Sequence, residues 1–201
     1  MVIIGITGGI GAGKSLVLDI MKEEFGCYTL EADKLAHRLM EPGEEAYDKI
    51  VEYFGEEILS EDKTIDRVKL GNIVMTSSEA LDSLNSFVHP AVKRYIIKDI
   101  EDRAAEGTEV YVLEAALLLQ QNYDTICDEI WYIHAPVNIR LQRLIDTRNM
   151  DKERAVSFIA NQPDETFYSE RADRVLDNST DREGIIKQVD DCLKECYNSA
   201  I

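Results

Sequence analysis

Two kinds of run alternate along this 201-residue chain. Short β-branched or aromatic stretches read as five buried strands: Val2-Ile3-Ile4-Gly5-Ile6-Thr7, Cys27-Tyr28-Thr29-Leu30, Val110-Tyr111-Val112-Leu113, Ile130-Trp131-Tyr132-Ile133 and the shorter Arg174-Val175-Leu176. Between them apolar residues return at helical spacing. Leu16, Leu18, Ile20, Met21 and Phe25 form the inward side of one helix, with Lys22, Glu23 and Glu24 outward and Gly26 as its stop. Ile185, Ile186, Val189, Leu193 and Cys196 recur in the same way, which predicts a last helix over about 181–197 packed on the sheet. Strands alternating with helices imply an α/β fold, a parallel sheet wrapped by helices.

The middle of the chain departs from this alternation. From about 42 to 107 the pattern is helical, with helices expected at 46–54, 67–75, 80–88 and 90–105, broken by Gly55, Asp62 and His89-Pro90. We read it as a helical insertion. A further helix is expected at 137–148, and the charged segment 151–168 lacks a continuous apolar face. It suits a mobile lid, or an ordinary surface helix pair. The expected organisation is a single domain over 1–201, with its core at about 1–40, 108–138 and 172–201, the insertion at about 41–107 and the lid at about 139–171. No internal repeat, low-complexity segment or heptad stands out.

Composition narrows the class. The content, 45% hydrophobic and 30% charged, fits a globular protein, and no run approaches the roughly 18 apolar residues of a membrane span. The first apolar run has no basic segment ahead of it, so it reads as a core strand; four scattered cysteines read as free thiols, and together these predict a cytoplasmic protein. A formal charge of −17 opposes nucleic-acid binding and favours a small-molecule ligand. An acidic chain that binds an anion must concentrate its cations locally.

The first strand runs into Gly8-Gly9-Ile10-Gly11-Ala12-Gly13-Lys14-Ser15, a G-x-x-x-x-G-K-S loop that restarts as a helix. That order aims backbone N–H groups and the positive helix end at one small volume suited to polyphosphate. Glycines let the backbone curl around phosphates, Lys14 reaches the β/γ oxygens, and Ser15 can coordinate a phosphate-bound Mg²⁺. Ligands of such folds bind at the carboxyl ends of the strands, where Asp33 and Glu114 also fall. Asp33 is a candidate to accept or orient an acceptor hydroxyl, or else a helix N-cap. Glu114 is a candidate for the metal shell. On the helix over 137–148, Arg148 follows Leu141, Leu144 and Ile145 on the apolar stripe, which makes it a candidate phosphate clamp. Arg140 and Arg143, on other sides, are further candidates whose alternative is a solvated face. His37, one turn after Asp33, is a candidate for the same cleft. His89, before Pro90, and His134, at a strand end, have structural readings first.

Taken together, the Thr-Gly-Gly-Ile-Gly opening of the loop, Ala32-Asp33 with Ala36-His37, His89-Pro90, Gln142-Arg143-Leu144 with Arg148, Gln162, and Ala172-Asp173 with Asp177-Asn178 resemble the dephospho-CoA kinase family, in order along almost the whole chain. The resemblance implies a three-layer P-loop kinase fold with a helical substrate domain and a lid. It implies transfer of the ATP γ-phosphate to the ribose 3′-hydroxyl of dephospho-CoA, the last step of coenzyme A synthesis, with ATP and Mg²⁺ as cofactors. Asp33 would be the base, acting with Lys14 and Arg148. ATP would be bound by Gly8, Gly9, Gly11, Ala12, Gly13, Lys14, Ser15, Leu16, Arg140 and Asn178, the metal by Ser15 and Glu114. The acceptor would meet Asp33, His37, His89, Lys93 and Glu114.

Four positions depart from the family pattern: Ala116 for a proline, Gln120 for a carboxylate, and Lys93 and Phe158 for arginines. Loop and fold alone also leave room for a kinase of another small hydroxyl acceptor, or for a regulatory protein that binds ATP without turnover.

Overall fold

The five apolar runs form one sheet: β1 (Val2–Thr7), β2 (Tyr28–Glu31), β3 (Val110–Glu114), β4 (Glu129–His134) and β5 (Arg174–Asp177), in the order β2-β3-β1-β4-β5. The structure is a computed structural model that describes residues 1–199, with side chains through residue 197. Parallel pairing sets Ile6 opposite Glu114, Thr7 opposite Tyr132 and His134 opposite Asp177. The carboxyl ends of β1, β3, β4 and β5 therefore share one edge, and the loop that leaves β1 sits at its centre.

One face of the sheet buries Ile4 and Ile6 of β1 against Val17, Ile20 and Met21 of α1 (Lys14–Phe25) and against Ile185, Val189 and Leu193 of α9 (Arg182–Ser199). Each such side chain contributes roughly 1.5–3 kcal/mol on burial. Val17 lies deeper than Leu16 and Phe25, which are only half-buried on the flank of this face. Gly26 ends α1 at φ 67°, and the N–H of Cys27 returns to the Met21 carbonyl at 3.0 Å.

Two compact units make up the chain, residues 1–30 with 106–201 and residues 31–105. The second holds α2 (Ala32–Arg38), α3 (Tyr47–Phe54), α4 (Arg67–Thr76) and α5 (Ser78–Ala105). The helices α2, α3 and α4 all pack on α5. The expected break at His89-Pro90 is absent: Pro90 lies inside a single helix of 28 residues. An interior proline costs about 3 kcal/mol. Val88, Ala91, Val92 and Ile96 are all buried along the same helix, and at roughly 1.5–3 kcal/mol for each of the larger side chains their packing outweighs that cost. His89 is accordingly an interior helix residue, not a turn or helix start.

In the first unit, α6 (Val137–Arg148) packs on α7 (Lys152–Ala160), followed by α8 (Glu165–Ser169). Asp151 and Asp164 cap the last two, their side chains accepting first-turn N–H groups. Buried Ala155 and Tyr168 anchor this otherwise charged segment, the Tyr168 ring stacking on Tyr132 of β4 at 5.2 Å and 8°. Among the described residues no helix is long and apolar enough to cross a membrane.

Candidate functional site

The loop over 8–13 and the start of α1 form the best-defined site. Gly13, the N-cap, has φ 90° and supplies no side-chain cap, and the first turn carries no acidic residue. The N–H groups and positive end of a twelve-residue helix are thus left without an anionic partner from their own turn. An oxyanion is the natural complement.

The loop carbonyls are directed elsewhere. Arg140 Nε donates to Ile10 O at 2.8 Å, Arg143 Nη1 to Ala12 O at 3.2 Å, and Asn178 Nδ2 to Ala12 O at 2.7 Å. The N–H of Ala12 closes on Gly9 O at 3.1 Å, and Lys14 Nζ on Gly8 O at 3.0 Å. Arg143 Nη2 also donates to Asn178 O at 2.7 Å, so the arginine and the asparagine brace each other behind the loop. With the Ile10 and Ala12 carbonyls held by these donors and the Ala12 N–H turned onto Gly9 O, the N–H groups at the start of α1 are left facing outward.

This bracing changes the reason for the glycines. A Cβ at Gly9 would run into the Arg140 guanidinium, and one at Gly13 would collide with Asn178 Nδ2. Gly13, at φ 90° against the buried Asn178 amide, is thus needed for close approach of a protein side chain, and Gly9 leaves open the place the Arg140 guanidinium occupies, where the sequence had suggested room for phosphate alone.

Lys14 is half-buried, with its Nζ 3.6 Å from Glu114 Oε1. Glu114 is buried at the end of β3. Ser15 is exposed and Leu16 half-buried in the first turn of α1, while Gly8, Gly9 and Ala12 are buried. The loop, Lys14, Ser15, Glu114, Arg140 and Asn178 therefore assemble at the sheet's carboxyl edge.

The three arginines of α6 are arranged unlike the sequence reading. Leu144 is the buried residue of the expected stripe, Leu141 and Ile145 are half-buried, and Arg148 is exposed. Arg140 and Arg143, given a solvated face as their alternative, are the half-buried pair that grips the loop. The α6 backbone at Arg140 lies against the loop at Gly11, so long arginine side chains from this helix reach the loop carbonyls whatever their place on the apolar stripe. Asn178 is fully buried, and its Nδ2 is engaged with the loop backbone.

The residues of the helical unit sit on its helices. Asp33 is exposed at the second position of α2, and the N-cap is Glu31, without a side-chain cap bond; the N-cap reading of Asp33 does not hold. His37 lies one turn on. Desolvation of its ring, and then the Arg67 charge, hold the His37 pKa below the ordinary histidine value against the pull of Asp33 and Glu41. On α5, His89 and Lys93 are half-buried one turn apart, and burial lowers the His89 pKa. Among the departing positions, Gln120 hydrogen-bonds Tyr168, and Phe158 stands 5.5 Å under Arg154.

Sequence reasoning left Gln162 without a role. Its Oε1 accepts from Ile10 N–H at 2.8 Å and from Arg140 Nη2 at 2.6 Å. Its partners lie far away in the chain, and its only sequence signal was its place among the residues of the family resemblance.

The chain is similar to known proteins in both sequence and fold. The family profile of dephospho-CoA kinase matches residues 2–183. A dephospho-CoA kinase from Carboxydothermus hydrogenoformans is 38% identical over 187 residues, covering 93% of this chain and 90% of its own length. A solved protein from Thermus thermophilus superposes with a TM-score of 0.80 at 28% identity, covering 96% of this chain and 97% of that one. The dephospho-CoA kinase from Campylobacter jejuni shares the fold at a TM-score of 0.73 and 24% identity, over 99% and 98% of the two chains. With the family profile spanning 2–183 and a relative this similar along nearly all of both chains, the chain belongs to the dephospho-CoA kinase family.

Proposed function

We propose that this chain phosphorylates the ribose 3′-hydroxyl of dephospho-CoA with ATP, giving coenzyme A and ADP, with Asp33, Lys14 and Arg148 as the catalytic residues. The observation that carries the reading is the uncapped start of α1 behind a loop whose carbonyls are held by Arg140, Arg143 and Asn178. Backbone N–H groups fixed in that way stabilise charge on a transferring phosphoryl group at little reorganisation cost.

In the proposed step, Asp33 takes the proton of the 3′-hydroxyl as that oxygen bonds to the γ-phosphorus. The bond from the γ-phosphorus to the β–γ bridging oxygen breaks, and ADP leaves with the electron pair. Lys14, now on Gly8 O and near Glu114, exchanges those partners for the β/γ oxygens. Arg148 is exposed at the end of α6 and is free to swing onto the moving phosphate. Arg140 and Asn178 serve ATP by bracing the loop. His37, His89, Lys93 and Glu114 serve the acceptor.

A hydroxyl and a buried carboxylate are the hard oxygen donors that Mg²⁺ prefers, so Ser15 and Glu114 fit the metal. When bound with ATP, Mg²⁺ supplies neutralising charge to the β- and γ-oxygens. The acidic surface and small-molecule site suit a cytoplasmic enzyme without a nucleic-acid partner.

The test is ADP release with ATP, Mg²⁺ and dephospho-CoA, with the product identified as coenzyme A by mass. Turnover that needs dephospho-CoA supports the reading. ATP binding with no turnover overturns it, and a screen of other hydroxyl acceptors then decides between a different kinase and a regulatory ATP binder.

A further inference from the structure

We propose that Gln162 is a positioning residue for ATP: its Oε1 locks the Ile10 peptide of the phosphate loop to Arg140 and so fixes the loop's N–H groups before nucleotide arrives. Three hydrogen bonds close a ring. Ile10 N–H donates to Gln162 Oε1 at 2.8 Å, Arg140 Nη2 donates to the same oxygen at 2.6 Å, and Arg140 Nε donates to Ile10 O at 2.8 Å. Both neighbours of that oxygen are obligate donors, so the oxygen and not the NH₂ of the amide must point there. Ile10 is thereby held on both of its backbone polar groups.

The position of this lock explains its use. Ile10 stands between Gly9 and Gly11, and Gly11 has φ 78°, so the backbone on both sides of Ile10 has little stiffness of its own. The Ile10 side chain is only half-buried and does not by itself fix the backbone. Arg143 and Asn178 hold the next stretch, at Ala12. Gln162 and Arg140 supply the matching restraint at the front. Gln162 also lies in the connection between α7 and α8, so the same oxygen joins that helical segment to the loop.

The role rests on the loop being the ATP phosphate site, so the experiment has one arm that uses no substrate. Amide hydrogen exchange of Ile10 is followed by NMR in the ligand-free full chain for wild type, Gln162→Ala and Gln162→Glu. In parallel, ATP KM and kcat are measured for all three, with thermal melting as the check on folding. Gln162→Ala is expected to raise Ile10 exchange at least about ten-fold relative to β1 amides. It is also expected to raise the ATP KM about ten-fold with kcat changed much less, the loss of one neutral and one charge-assisted hydrogen bond. Gln162→Glu keeps an acceptor at the same reach and is expected to preserve Ile10 protection, even where its added charge weakens ATP. Unchanged Ile10 exchange in Gln162→Ala overturns the proposal, as does a Glu variant that exchanges like the Ala variant or an unchanged ATP KM in an active Gln162→Ala enzyme. If wild type shows no kinase turnover while Gln162→Ala still loses Ile10 protection, the lock stands and the kinase reading falls.

Discussion

Around residues 8–13, side chains from α6, from the α7–α8 connection and from the turn after β5 grip the backbone. In the unit over 31–105, Asp33 and His37 stand exposed on a helix of seven residues. The contrast follows from which atoms do the work. Phosphate binding is assigned to backbone N–H groups on a glycine-rich path, which has no stiffness of its own and must be held from outside. Proton transfer is assigned to one carboxylate, and a single helical turn presents a carboxylate adequately. Changes at the braces should therefore move stability and ATP affinity together, while changes at Asp33 should move the rate alone.

The largest effect sharpens that division. Asp33→Asn is expected to lower kcat about 10²–10⁴-fold, as loss of a general base does. The melting temperature and the ATP dissociation constant, measured by calorimetry, should stay at wild-type values. An equal loss of ATP affinity would break the comparison.

Gly13→Ala tests the other side. Its φ of 90° disfavours any side chain, and the new Cβ collides with Asn178 Nδ2. About 1–3 kcal/mol of strain is expected, read as a lower melting temperature and an ATP affinity down by roughly ten-fold or more. A pair of arginine variants divides bracing from chemistry on one helix. Arg143→Ala removes a donor from Ala12 O and Asn178 O and should cost about 1–3 kcal/mol of stability in denaturant titrations. Arg148→Ala, from an exposed position, should leave the denaturation midpoint unchanged and lower kcat.

The smallest effect is pH-dependent and belongs to the helical unit. The folded-state pKa of His37 lies below its ordinary value through desolvation and then Arg67, and that of His89 through burial. As pH falls the unfolded chain takes up these protons first, so the stability from neutral His37 and His89 is full above about pH 6.5 and is lost below it. His37→Gln should flatten the drop in melting temperature between pH 7.5 and 5.5. An unaltered pH profile would assign the acid loss to other groups.

The elements that sequence made legible are those whose cause is local. The β-branched runs became β1 to β5 within a residue or two, Gly26 ended α1, and 137–148 became α6 as expected. Val17 was passed over because an inward side drawn through Leu16 and Phe25 sits slightly off the true buried face. The break expected at His89-Pro90 failed because one lost hydrogen bond is a local cost, and the packing of α5 that outweighs it is not local.

At the site the same boundary applies. The G-x-x-x-x-G-K-S spacing, with a strand before it and a helix after it, determined by itself where the loop lies and that a helix restarts directly behind it. Asp33 and Glu114 at strand exits were legible for the same reason. Tertiary structure alone decided that Arg140 and Arg143, and not Arg148, grip the loop, that Asn178 and Gln162 join them, and that Gly9 and Gly13 make room for side chains. These contacts link residues 130 to 166 positions apart in the chain. Periodicity reports which face of a helix is apolar, whereas the reach of a guanidinium or amide to a distant carbonyl depends on how the sheet brings those segments side by side.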